Sequence, residues 1–170
     1  MIGPHEPAMP QPHISALALD IGRRRIGVAG CDRLGLLVTE LPTVQNRSFR
    51  TVVDEIKAIA TERRVNVLVV GLPYSMNGEL GKQAVWVQTF AEKLSSILQI
   101  PVEYVDERLT SFQAEQMLQA EGVTLSRHNK GLIDQKAAAI ILQQWLDQRD
   151  RPSTVPSSPS PTSSVTGDPE

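Results

Sequence analysis

Apolar positions along this chain fall into stretches of two kinds. Residues 14–20 (ISALALD) form a near-continuous apolar run that closes on a carboxylate, and residues 66–71 (NVLVVG) form another. Runs of this length, too short for a helix and rich in branched side chains, read as strands buried on both faces. Residues 26–31 (IGVAGC) and 36–44 read as two further strands joined by short Gly, Asp and Arg turns, which predicts an antiparallel meander. Residues 101–106 (PVEYVD) are the fifth. Elsewhere the spacing is helical. Phe49, Val52, Val53, Ile56, Ile59 and Ala60 mark a first amphipathic helix, and Trp86, Phe90, Leu94 and Ile97 a second. Thr110 followed by Gln113 has the form of a capping box, opening a third helix that Gly122 closes. Residues 132–147, without internal Pro or Gly, form the fourth. The order β-β-β-α-β-α-β-α-α sets a meander ahead of strand–helix–strand units. It predicts an α/β fold with a mixed five-stranded sheet, antiparallel meander first and parallel strands after, and helices packed on it.

Composition bounds this picture. Nine of the 12 prolines lie in residues 1–13 and 151–170. The second stretch, RPSTVPSSPSPTSSVTGDPE, is too poor in apolar residues to offset its ordering entropy. Both ends are expected to be disordered tails around one domain spanning residues 14–150. The chain has 17 Lys+Arg against 19 Asp+Glu, and the tails hold one arginine and three acids, so the core is charge-balanced. A balanced core argues against binding nucleic acid through bulk charge and confines any such surface to a local patch. Residues 14–71 are the basic part, with nine basic and six acidic side chains. One cysteine, Cys31, excludes an internal disulfide framework and a multi-cysteine zinc site. The apolar runs are strand-sized, and the first residues (MIGPHEPAMPQPH) have neither a basic nor an apolar signal region, so a cytoplasmic protein without membrane association is expected.

Three acids stand where acids are expensive. Asp20 ends the buried run ALAL, a costly position unless something cationic meets it, although a turn Asp before glycine is the commoner fate of that pattern. Asp106 and Glu107 follow the strand VEYV, and because neighbours on an extended segment point to opposite faces, one can turn inward while the other faces solvent or Arg108. Asp134 shares a helical stripe with Ala138, Ile141 and Trp145, which puts a carboxylate on the sheet-facing side beside the small residues 137–139. Acids gathered in one place repel one another and raise their own pKa values, whereas a divalent cation makes the same cluster favourable. With no His or Cys cluster nearby, Mg²⁺ or Mn²⁺ suits the oxygen donors better than zinc. Arg23, Arg24 and Arg25 follow Asp20 closely and suit flanking phosphates, with a solvated turn as the equal alternative. Lys130 and Lys136, with Arg127 and His128 before them, are candidates for a second bank of such a groove. No G-x-x-x-x-G-K-[ST] loop is present.

The segments DIGRRRIGVAG, VVGLPYSMNGELG, VDERLTS and KGLIDQKAAAIIL, in this order and spacing, resemble the YqgF/RuvX family. These are RNase H-like proteins assigned as pre-16S rRNA nucleases and described earlier as Holliday-junction-resolvase homologues. The resemblance runs from Ile14 to Arg149. It implies an RNase H-like fold with Asp20, Glu107 and Asp134 as catalytic and metal-ligating acids, Asp106 remaining structural. Asn77 departs from the Asp that many relatives carry in its loop. The implied activity is hydrolysis of phosphodiester bonds with Mg²⁺ or Mn²⁺, in processing the 5′ end of precursor 16S rRNA during ribosome biogenesis. The implied partner is nucleic acid, precursor rRNA or the ribosomal particle carrying it, contacted by Arg23, Arg24, Arg25, Arg108, Lys130 and Lys136, with the chain acting as a monomer or homodimer. Two alternatives compete: a Holliday-junction resolvase acting on DNA, and a non-catalytic RNA-binding assembly factor. A phosphotransferase of the actin/sugar-kinase type would need two such domains, and this chain supplies one.

Overall fold

The computed structural model of the chain describes residues 14–74, 80–107, 110–123 and 130–150. Its elements are β1 (Ala16–Ile21), β2 (Arg25–Cys31), β3 (Val38–Gln45), α1 (Phe49–Arg63), β4 (Val67–Leu72), α2 (Lys82–Leu98), β5 (Val102–Asp106), α3 (Thr110–Ala120) and α4 (Lys130–Asp150). This is the order the apolar spacing predicts. The strands form one sheet, β3-β2-β1-β4-β5. The β1–β2 and β2–β3 pairs are antiparallel, and the β1–β4 and β4–β5 pairs are parallel. The fold is thus the mixed, RNase H-like α/β sheet that the resemblance implies.

Strands β1 and β4 occupy the middle of the sheet, which is why their sequences are apolar almost without interruption. Alternation splits their side chains between two helical layers. Leu17, Leu19, Leu68 and Val70 face Val52 and Ile56 of α1 and Val87, Ala91 and Leu94 of α2. Ala16, Ala18, Val67 and Val69 face Ala138, Ile141, Leu142 and Trp145 of α4. The second face is floored by small side chains, so α4 settles close to the strands. Two of the residues sharing the stripe with Asp134, Ala138 and Ile141, are fully buried, and Trp145 nearly so.

Element ends differ from the sequence expectation where polar side chains intervene. The expected third strand begins at residue 36, but β3 begins at Val38. The Asp32 carboxylate accepts the N–H groups of Leu36 at 2.7 Å and Leu37 at 3.1 Å and holds them in a loop, where Gly35 takes φ 69°. Helix α1 is capped by Ser48, whose hydroxyl accepts the Thr51 N–H at 3.2 Å, and ends at Arg64 in the left-handed region. Helix α4 runs beyond the expected 132–147 at both ends. The two proline-rich tails, the Thr110 side chain and the loop containing Asn77 lie outside what the structure describes. Among the described residues, no helix is long and apolar enough to cross a membrane.

Candidate active site

The alternation that sends Leu17, Leu19 and Ile21 to one layer sends Ala16, Ala18 and Asp20 towards α4. Across the β1–β2 ladder, Asp20 stands opposite Gly27. A Cβ on Gly27 would run into the backbone carbonyl of Asp134, so the absence of a side chain there lets the first turns of α4 cross β2 beside Asp20. Those turns are tied to β3 by two further bonds. Thr43 donates its hydroxyl to the Gly131 carbonyl at 3.1 Å, and the Gln135 amide donates to the Leu41 carbonyl at 2.9 Å.

Glu107 reaches the same place from β5. Val102 and Tyr104 face the α1/α2 layer and Val105 faces α4, so the alternation turns Glu107 to the α4 side and leaves Asp106 exposed on the other. The Glu107 N–H donates to the Leu72 carbonyl at 3.1 Å, which extends the parallel pairing by one residue and fixes the backbone. Its side chain then lies over Gly71, where an added Cβ would stand 2.6 Å from Oε2 and 2.6 Å from Ile141 Cδ1. The two strand glycines, Gly27 and Gly71, make room for Asp134 and Glu107, and Gly27 is one that the sequence pattern did not single out. The available signal is a glycine interrupting a strand pattern, which marks close approach.

The carboxyls of Asp20 and Glu107 are hydrogen-bonded to each other. Burial is the main cause of raised pKa values in both, pushing Asp20 up to about 6 and Glu107 up to about 9. The Asp20 charge adds to the rise at Glu107, and the charge of Asp134 adds to the rise at Asp20. At neutral pH these shifts favour one proton on the pair over two full charges. Asp134 is raised by burial too, against the opposing pull of Arg25 and Lys130. Its Oδ2 accepts from Arg25 Nε at 2.9 Å in a half-buried ion pair.

The structure thus joins two of the three predicted acids and holds the third nearby on an arginine. Among the described residues, no three His, Cys, Asp or Glu side chains converge closely enough to hold a metal ion. The Asp20–Glu107 pair itself is a fit for a hard divalent cation: oxygen donors only, buried together, each disfavouring the charge of the other. Two concavities, of ≈ 480 Å³ between β3 and α1 and ≈ 390 Å³ between β3, α3 and α4, lie away from these acids.

The predicted phosphate-binding cations separate into three groups. Arg23 and Arg24 are exposed on the β1–β2 turn, Arg23 with its guanidinium 5.1 Å over the Trp86 ring. Lys130 is exposed at the start of α4. Arg25, by contrast, is the first residue of β2 and already engaged by Asp134. Lys136 is held between Glu40 at 3.0 Å and Glu121 at 2.9 Å, a link between α4, β3 and the end of α3. Arg108, Arg127 and His128 lie outside the described residues.

The RuvX family model, described as a Holliday junction resolvase, matches residues 14–148. A protein of Trichormus variabilis named "Putative pre-16S rRNA nuclease" is 66% identical over 137 residues, which cover 81% of this chain and 90% of that protein. One of the same name from Synechococcus elongatus is 61% identical over 141 residues, 83% of this chain and 94% of that protein. Among solved structures, the fowlpox virus resolvase in complex with Holliday junction DNA matches with a TM-score of 0.52 at 10% identity, over 81% of this chain and 100% of that one. At that identity the likeness is one of fold.

Proposed function

The chain belongs to the RuvX family of nucleases, and on that premise we propose that it is a metal-dependent enzyme hydrolysing phosphodiester bonds in precursor 16S rRNA, at its 5′ end, during ribosome biogenesis. One observation carries the catalytic part of this reading. Two acids, carried by the C-terminal ends of β1 and β5, are buried against each other, and burial raises the pKa of both, at a cost in stability that packing alone does not explain. The rRNA part rests on the names of relatives that are 61–66% identical.

In this reading Asp20 and Glu107 would hold a Mg²⁺ or Mn²⁺ ion, with Asp134 as the candidate third ligand. Such an ion would supply an activated water and charge to stabilise the leaving oxygen. As ligands, Asp20 and Glu107 would both be ionised. Arg25 keeps Asp134 ionised and oriented towards Asp20 while compensating its charge. Arg23 and Arg24, on the turn that follows Asp20, hold the phosphates beside the scissile one, and Lys130 bounds the other side. Lys136, occupied by two carboxylates, stiffens α4 against β3 in place of the phosphate role that its position in the sequence suggests.

The test compares the wild type with Asp20→Asn, Glu107→Gln and Asp134→Asn on precursor rRNA ends, mature RNA and a four-way DNA junction, with Mg²⁺, Mn²⁺ or EDTA. Metal-dependent cleavage of the precursor is expected, with a loss of at least about 100-fold in the first two variants and RNA binding retained. Cleavage confined to the junction would favour the DNA resolvase, the activity in the family description. Cleavage in EDTA, or full activity in all three variants, would remove the mechanism.

A further inference from the structure

Positive charge is concentrated at the end of the sheet where β1 delivers Asp20. Arg23 and Arg24 occupy the β1–β2 turn, Arg47 precedes α1, Arg50 lies in the first turn of α1, and Lys82 begins α2. All five are exposed, and among the described residues none is in an ion pair. They are also held in one surface. The Asn46 side-chain amide donates to the Gly22 carbonyl at 2.9 Å and the Asn46 N–H donates to the Arg24 carbonyl at 2.9 Å, which pins the loop before α1 against the turn. A row of rings joins the same parts. Arg23 lies over Trp86, Trp86 meets Phe90 at 5.8 Å between centroids, and Phe90 meets Phe49 edge-on at 5.2 Å. Lys82 sits one helical turn before Trp86.

These charges break a local rule. A helix N-terminus carries partial positive charge, so acids stabilise it and cations destabilise it, by roughly 0.3–1 kcal/mol each. Neither α1 nor α2 has an acid in its first turn, and both have a cation there. The α2 cap, Gly81, supplies no side-chain acceptor for the first helix amides. Two helix starts at the same end of the sheet, with five cations that are in no ion pair among the described residues and a pair of buried acids, form an anion-attracting surface maintained against local stability.

We propose that Arg47, Arg50 and Lys82, together with Arg23 and Arg24, form a phosphate track that carries a nucleic-acid strand away from the Asp20–Glu107 site across the starts of α1 and α2. This rests on the reading of that site as a nuclease centre and adds the path of its substrate. The ligand chemistry is the phosphodiester backbone, common to RNA and DNA.

The full chain is compared with R47A/R50A/K82A and with R33A/K57A/K93A, which removes the same charge from exposed positions elsewhere. Anisotropy of a labelled 20-nucleotide RNA, and of a duplex DNA of the same sequence, is followed in EDTA from 50 to 300 mM KCl. The track variant is expected to bind RNA at least about 10-fold more weakly. The slope of log K against log salt should fall by about 2, since each phosphate contact on a single strand contributes about 0.7. The control should stay within about 3-fold of wild type. Equal loss on DNA supports a track that reads phosphates alone, and loss on RNA only supports one fitted to the single strand. Equal effects of the two triple variants on both nucleic acids overturn the proposal and assign the charges to another partner, such as an acidic protein. Because EDTA removes cleavage from the measurement, a chain that binds through the track yet cuts nothing would sink the nuclease reading and leave the track standing. Melting curves check folding, and the track variant should melt no lower than wild type, since it relieves the two helix dipoles.

Discussion

Asp20 occupies a position where Leu, Val or Ile would stabilise the fold more. Its neighbours on both sides along β1 are fully or almost fully buried, and its carboxyl is paired with that of Glu107, whose pKa burial raises further. Both acids have folded-state pKa values above their unfolded ones, so between about pH 4 and about pH 9 the native state binds more protons than the unfolded chain. Stability without metal therefore falls as pH rises through that window. Replacing Asp20 by Asn removes the repulsion and the buried charge. Asp20→Asn is expected to melt about 3–6 °C above wild type at pH 8 in EDTA, the gap closing by pH 4. Scanning calorimetry at the two pH values checks this, and a variant less stable than wild type at pH 8 would contradict it. This cost was partly legible beforehand: the sequence shows an acid closing an apolar run, and the family resemblance singles out Glu107, but strand alternation alone leaves open which of Asp106 and Glu107 meets it.

Helix α4 converts a sheet into a site. Its apolar stripe, with Asp134 at one end, could be read from spacing alone, and so could its small residues at 137–139. The position of the helix start was not legible, because it depends on Gly27 in another element, more than a hundred residues earlier, leaving room for the Asp134 backbone. Nor was the partner of Asp134. Arg25 looks in the sequence like part of a solvated turn, but the turn ends at Arg24 and strand pairing turns Arg25 to α4. Gly27→Val, a change otherwise favourable in a strand, should push α4 off β2 and cost about 2–3 kcal/mol or more. Urea unfolding measures that loss, and a midpoint equal to that of wild type would show that α4 does not rest on β2 at this point. Lys136 teaches the same lesson in reverse: its neighbours in sequence suggest phosphate, but its neighbours in space are Glu40 and Glu121.

Across the whole molecule, the order of elements and the mixed sheet follow from periodicity because each strand is short and distinctly patterned, and α1 and α2 each carry one apolar face. Charge at this scale was legible only as a sum. The core is balanced overall, and the concentration of cations around Arg23, Arg47 and Lys82 appears only when the β1–β2 turn and the starts of α1 and α2 are brought together. The acids and these cations share one end of the sheet, so on the proposed reading a polyanion drawn to the cations would be delivered to the acids. The account turns on Asp20 and Glu107 exchanging their shared proton for a divalent ion. Titration calorimetry of Mn²⁺ at pH 7, repeated in buffers of different ionisation enthalpy, counts the protons released on binding. About one proton per ion is expected for the wild type, with binding weakened at least about 10-fold in Asp20→Asn. Mn²⁺ binding that releases no proton, or that is unchanged in Asp20→Asn, would contradict the account.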